Sequence, residues 1–155
     1  MIKVLFVCTG NICRSPMADA VFQQMVKEAG LSDQISVDSA GTSSYHTGEA
    51  PHRGTQAVLR KHDIPYNGRA RQFVRNDLTE FDYVLAMDNS NMYDIDAKVN
   101  DSTTAEVVMF LSYAHDKGMV DILEVPDPWY DGRFDETYDL VTKGCRALLD
   151  TIQGK

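Results

Sequence analysis

The sequence is short of the features that mark exported, membrane-spanning or nucleic-acid-binding chains. Only three cysteines occur in 155 residues, Cys8, Cys13 and Cys145. They leave no complete disulfide set, which favours a reducing cytoplasm over an oxidising compartment. No apolar run approaches the roughly 18–20 residues that a bilayer crossing requires. The opening Met1–Val7 is too short for a signal peptide and lacks a cleavage site. Basic residues are scarce, 15 Lys and Arg against 23 Asp and Glu, for a formal net charge of −8. Such a balance disfavours nonspecific attachment to nucleic acid or to an anionic membrane. The four histidines show no metal-ligand spacing, Cys8 and Cys13 do not form a Cys-x₂-Cys pair, and no Gly-Lys-Ser/Thr sequence builds a nucleotide loop. No metal and no cofactor are expected.

What is present fits one globular domain, residues 1–155, with 43% hydrophobic residues and no repeat or linker to divide it. Ile2–Val7 is a near-continuous apolar run, the mark of a strand buried on both faces. Pro16–Ala29 carries apolar residues at helical spacing, with Ser15 placed as its cap, Pro16 in its first turn and Gly30 at its end. Further strands are expected at Ile35–Ser39, Asp82–Met87 and Val107–Leu111. Helices are expected over Thr55–His62, from an Asp88 cap to about Val99, and over Asp135–Ile152. Strands alternating with helices predict an α/β, single-domain, three-layer fold: a four-stranded parallel sheet flanked by helices on both faces. Ligands of such sheets bind beyond the carboxyl ends of the strands, which directs attention to the turn after Val7.

That turn reads Cys8-Thr9-Gly10-Asn11-Ile12-Cys13-Arg14-Ser15. A cysteine, five residues and an arginine ahead of a helix can wrap a tetrahedral oxyanion, with inward backbone N–H groups and the positive end of the helix facing it. Arg14 adds a bidentate fork, and Gly10 and Asn11 tolerate the left-handed angles of a tight cradle. Cys8 would sit beneath the bound group, with Arg14 and the helix end favouring its thiolate as a nucleophile. The same spacing also fits an ordinary strand–helix turn with a buried cysteine.

The octet resembles the signature loop of the low-molecular-weight protein tyrosine phosphatases. Asp38-Ser39-Ala40-Gly41-Thr42, Ala70-Arg71-Gln72, Phe81–Asp88 and Val125-Pro126-Asp127-Pro128-Trp129-Tyr130 resemble further segments of that family, in its order, so the likeness covers essentially the whole chain. The resemblance implies metal-independent hydrolysis of phosphotyrosine through a cysteinyl-phosphate intermediate. Cys8 would then be the nucleophile, and Arg14 with the amides of Thr9, Gly10, Asn11, Ile12 and Cys13 would hold the phosphate. Asp127, fixed between two prolines, would be the general acid that protonates the leaving phenol. Trp129 and Tyr130 would form one wall of an aromatic slot, and Tyr45 the other. The family likeness also gives Ser15 a hydrogen bond to the thiolate, Asn11 a loop-holding role and Cys13 a redox partnership with Cys8.

Phosphotyrosine proteins, tyrosine kinases among them, are the expected partners, and a monomer or weak dimer the expected state. Cys145 falls on the apolar stripe of the last helix and reads as core. Arg69, Arg71 and Arg75 read as a solvated face that could help dock a phosphorylated partner. Arsenate reduction on the same fold needs cysteines that Glu80–Ser90 lacks, and a non-catalytic binding module need not retain Cys8, Arg14 and Asp127 together.

Overall fold

The computed structural model describes residues 1–155. The chain runs β1 (Ile2–Cys8), α1 (Arg14–Glu28), β2 (Ile35–Gly41), α2 (Arg53–Lys61), α3 (Asp77–Glu80), β3 (Tyr83–Ala86), α4 (Asn89–Asp96), β4 (Glu106–Met109), α5 (Ser112–Asp116), α6 (Pro128–Asp131) and α7 (Phe134–Gln153). The four strands form one all-parallel sheet in the order β2-β1-β3-β4. From β1 the chain moves first to one side and then to the other. The carboxyl end of β1 therefore lies at a topological switch point, where a crevice opens.

Alternation along the strands divides the core into two layers. Val4, Phe6, Cys8, Tyr83 and Leu85 face a large cluster with Met17, Phe22, Val141, Cys145 and Leu148 from α1 and α7. Leu5, Val7, Val84 and Ala86 face a smaller cluster with Phe73, Leu78 and Ile95, on the side of α3 and α4. Both faces of β1 are thus covered, which is why its sequence is apolar without a period of two. Phe6 packs edge-to-face on Phe22 and Phe110, with centroids 5.8 and 5.2 Å away. Cys145 is core as expected, its Sγ 3.7 Å from the Ala18 carbonyl oxygen.

The expected strands and longer helices are present with shifted ends. Gly30 (φ 73°) closes the first helix in the left-handed region, and Asp88 caps α4 by accepting from the Asn91 N–H at 2.8 Å. One expectation fails. Ser15 does not cap α1; it lies inside the helix, and the cap position falls to Cys13, which makes no capping side-chain bond. The Ser15 hydroxyl is turned inward instead, to Cys8 and Asn11. The short helices α3, α5 and α6 carry too few turns to leave a periodic trace in sequence.

Candidate active site

Residues 8–14 form a cradle, four of whose carbonyls are occupied from outside. The Cys8 and Thr9 carbonyls accept from Thr42 and Ser43 N–H at 2.9 and 3.0 Å, and Ile12 O accepts from His52 N–H at 2.7 Å. Cys13 O accepts from Thr55 Oγ1 at 2.9 Å. The backbone N–H groups of residues 9–13, by contrast, donate to no protein acceptor. With these four carbonyls occupied and a run of donors free, the segment can hold an oxyanion. Asn11 sets the bend: it adopts φ 57°, and its Oδ1 accepts from the Arg71 N–H at 3.0 Å.

The cradle floors a cavity of about 300 Å³, lined by Cys8, Thr9, Gly10, Ile12, Cys13 and Arg14 below. Ser43, Tyr45, His46, Asp127, Trp129 and Tyr130 line it from the facing loops. Nearly all the residues singled out in the sequence therefore meet at one point. Asn11 and Ser15 do not line the cavity. Both are buried behind the loop, where Asn11 Nδ2 donates to Ser15 Oγ at 2.8 Å and Ser15 Oγ lies 3.0 Å from Cys8 Sγ.

Arg14 is the largest fully buried side chain at 2% exposure. Its Nη1 donates to Asp88 Oδ2 at 2.7 Å and to the Val125 carbonyl at 2.8 Å, and its Nη2 reaches Asp127 Oδ2 at 3.5 Å. Burial opposes its charge, but Cys8, Asp88 and Asp127 outweigh burial and hold it protonated. Its Nε is buried without a partner. A guanidinium held on one edge, with a free donor at a cavity it lines, is poised to take an anion's oxygens.

Asp127 sits at the N-cap of α6, where its Oδ1 accepts from the Trp129 N–H at 3.0 Å. Pro128 opens that helix and Gly132 (φ 70°) ends it, so the carboxylate stands on a short, stiff element opposite Cys8. Burial, with Cys8 and Asp127 beside it and Arg14 only partly offsetting them, pushes the Cys13 thiol up to about 12. It therefore remains a thiol at neutral pH.

Two histidines that metal-ligand spacing does not single out in the sequence join these aromatic residues: His46 lines the cavity, and His52 supports Trp129 from outside it. His46 packs edge-to-face with Tyr45 (4.9 Å) and tilted against Trp129 (5.7 Å), while His52 meets Trp129 edge-to-face (5.5 Å) and stacks on Phe134 (5.0 Å). The resulting aromatic ladder joins the loop after β2 to the Asp127 loop. Tyr45 and Tyr130, each 85% exposed, form its outer lip. The signal available in sequence was His46 beside Tyr45. No group of three or more His, Cys, Asp or Glu side chains is arranged to hold a metal ion.

The arginine face also differs from expectation. Arg71 is not free for docking: it bridges Asp38 and Asp77 with contacts of 3.1 Å each, and so ties β2 to α3. Arg69 and Arg75 are exposed.

A fold with an oxyanion cradle at the switch point, a buried arginine and a facing carboxylate defines a class of phosphate-handling α/β proteins. The family profile described as low molecular weight phosphotyrosine protein phosphatase matches residues 3–155. The chain is 44% identical over 154 residues to the low molecular weight protein-tyrosine-phosphatase YfkJ of Bacillus subtilis, covering 99% of this chain and 97% of that one. It is 41% identical over 152 residues to PtpA of Staphylococcus epidermidis, covering 98% and 94%. The crystal structure of YfkJ superposes with a TM-score of 0.93, covering 99% of this chain and 96% of that one. That of a Drosophila arginine phosphatase superposes with a TM-score of 0.89 at 33% identity, covering 97% and 98%. The chain belongs to the low molecular weight phosphotyrosine protein phosphatase family.

Proposed function

We propose that the protein hydrolyses phosphotyrosine in proteins, and small aryl phosphates, through a cysteinyl-phosphate intermediate. The observation that carries this reading is the cradle itself: five consecutive backbone N–H groups and Arg14 Nε without protein acceptors, in the loop that begins at Cys8. The phosphoryl group binds there with its oxygens on these donors. The Cys8 thiolate attacks phosphorus in line, the bond to the phenolic oxygen breaks, and Asp127 gives its proton to that oxygen as it leaves.

In the second half, Asp127 takes a proton from water. The water oxygen bonds to phosphorus, the phosphorus–sulfur bond breaks, and the thiolate departs toward the Ser15 hydroxyl. Inorganic phosphate is released and the protonation states are restored. The Tyr45–His46–Trp129 wall supports an aryl leaving group, because an aromatic-lined slot rewards a ring over an alkyl chain. Three free thiols suit a reducing cytoplasm. No helix is long and apolar enough to cross a membrane.

The test compares wild type and Cys8→Ser on para-nitrophenyl phosphate and on peptides bearing phosphotyrosine, phosphoserine or phosphoarginine. Wild type should turn over the first two substrates and show a strong preference against the others. Cys8→Ser should have no turnover yet still bind vanadate, since the backbone donors survive. Retention of even a few per cent of activity in Cys8→Ser refutes the nucleophile, and a preference for phosphoarginine refutes the substrate.

A further inference from the structure

A line of hydrogen-bonding side chains runs from the surface groove beside Pro65 to the back of the cradle, and Tyr66 stands at its outer end. The Tyr66 hydroxyl donates to Asp19 Oδ2 at 2.7 Å and lies 3.4 Å from Ser39 Oγ. Asn11 Nδ2 donates to Ser39 Oγ at 2.9 Å and to Ser15 Oγ at 2.8 Å; Ser15 Oγ is 3.0 Å from Cys8 Sγ. Asp19, Ser39, Asn11 and Ser15 are all buried, and Tyr66 is half-buried.

The directions of these bonds follow from donor and acceptor counts. Asn11 Oδ1 is taken by the Arg71 N–H, so the amide NH₂ must face both serines. Each serine oxygen then accepts from Asn11 and has its own hydrogen to place. Tyr66 gives its hydrogen to Asp19, which leaves the tyrosine oxygen open to Ser39. Ser15 has two acceptors in reach, Cys8 Sγ at 3.0 Å and the Ala40 carbonyl at 3.4 Å. Gln23 Nε2 holds the other Asp19 oxygen at 2.6 Å, so the carboxylate cannot swing away from Tyr66. Burial, reinforced by Asp19, keeps the Tyr66 hydroxyl protonated.

A Cβ on Gly68 would collide with the Tyr66 hydroxyl and its ring edge. The ring thus reaches Asp19 by folding over a residue that has no side chain.

We propose that Tyr66, anchored on Asp19, is a positioning residue for Cys8, acting through Ser39, Asn11 and Ser15 to keep the Ser15 O–H directed at the sulfur. The proposal rests on the reading of Cys8 as nucleophile. No bond is made to Tyr66 during the reaction. Its effect falls on the readiness of the sulfur to attack and to leave the phosphoenzyme, hence on kcat rather than on phosphate binding.

The experiment uses the full chain with Tyr66→Phe, Ser39→Ala, both together, and Gly68→Ala. It reads kcat and KM on para-nitrophenyl phosphate, the pH midpoint of inactivation by iodoacetate, and the melting temperature. Tyr66→Phe should lower kcat about three- to tenfold, the scale of one buried neutral hydrogen bond. It should move the inactivation midpoint to higher pH and leave KM within about twofold. Ser39→Ala should do the same, and the double variant should be no worse than either single one, because both cut the same line. Gly68→Ala, which displaces the ring but keeps the hydroxyl, should reproduce the midpoint shift.

A Tyr66→Phe protein with wild-type kcat and midpoint overturns the proposal, whatever its melting temperature. Additive losses in the double variant also overturn it, since Tyr66 would then act by another route. Turnover by Cys8→Ser would instead overturn the nucleophile assignment, so the two failures are distinguishable.

Discussion

Arg14 Nη1 donates to Asp88 Oδ2 at 2.7 Å while Asp88 Oδ1 accepts from the Asn91 N–H at 2.8 Å. One carboxylate therefore orients the cradle arginine and caps α4, joining elements 74 residues apart in sequence. Asp88→Ala would strip a buried guanidinium of its shortest bond and uncap a helix. Removing one partner of a buried ion pair costs about 3–5 kcal/mol. Urea unfolding should show a loss of that order, and kcat/KM should fall with it. A stability within about 1 kcal/mol of wild type would mean that Asp88 matters only as a cap.

Gly41 ends β2 opposite Cys8, and a Cβ there would sit 2.7 Å from the Thr9 carbonyl oxygen and 3.1 Å from the Asn11 backbone nitrogen. These are backbone atoms of the cradle and cannot swing aside. Gly41→Ala should push the loop out of register with the anion. Phosphate or vanadate affinity should drop at least about tenfold, by more than the melting temperature alone would suggest. Titration of vanadate inhibition checks this.

Asp127→Asn tests the proposed acid separately from the proposed nucleophile. Turnover of phosphotyrosine should fall by roughly 10²–10⁴, because a phenol with a pKa near 10 leaves poorly without a proton. Esters of acidic phenols should lose much less. Across a series of aryl phosphates the variant should show the steeper dependence on leaving-group pKa. Equal slopes would place the proton donor elsewhere and leave Asp127 as the cap of α6.

Cys13 adds a pH dependence of known sign. Its thiol is raised from 9.0 to about 12, so between these values the folded chain keeps a proton that the unfolded chain loses. Unfolding then gains from rising pH, and stability falls from about pH 9 upward. Cys145, pushed the same way by burial, shares this loss. Urea midpoints measured at roughly pH 8 and pH 10 should separate more in wild type than in Cys13→Ser. Iodoacetamide at neutral pH should label Cys8 and spare the other two.

Much of this architecture was legible because it is local. The apolar run of β1, the Cys-x₅-Arg turn, the Asp88 cap and the Gly30 stop are each written within a few consecutive residues. What stayed hidden depends on contacts across the chain. Ser15 reads as a cap from its neighbours, yet Cys8 and Asn11 claim its hydroxyl from inside the loop. Arg71 reads as a surface charge, yet Asp38 and Asp77 flank it. His46 and His52 carry no periodic or metal-spacing signal, because their partner Trp129 arrives from a distant loop. Tyr66 and Asp19 lie 47 residues apart, and no local pattern announces their bond.

In the proposed reaction phosphorus passes through a bond to Cys8. Rapid mixing of wild type with excess para-nitrophenyl phosphate, acid quenching and mass analysis of the digested protein tests it most directly. The expected result is a burst of para-nitrophenol with a matching gain of one phosphoryl group on the peptide containing Cys8, and no gain in Cys8→Ser. A burst without phosphorylated Cys8, or the phosphoryl group on any other residue, would contradict it.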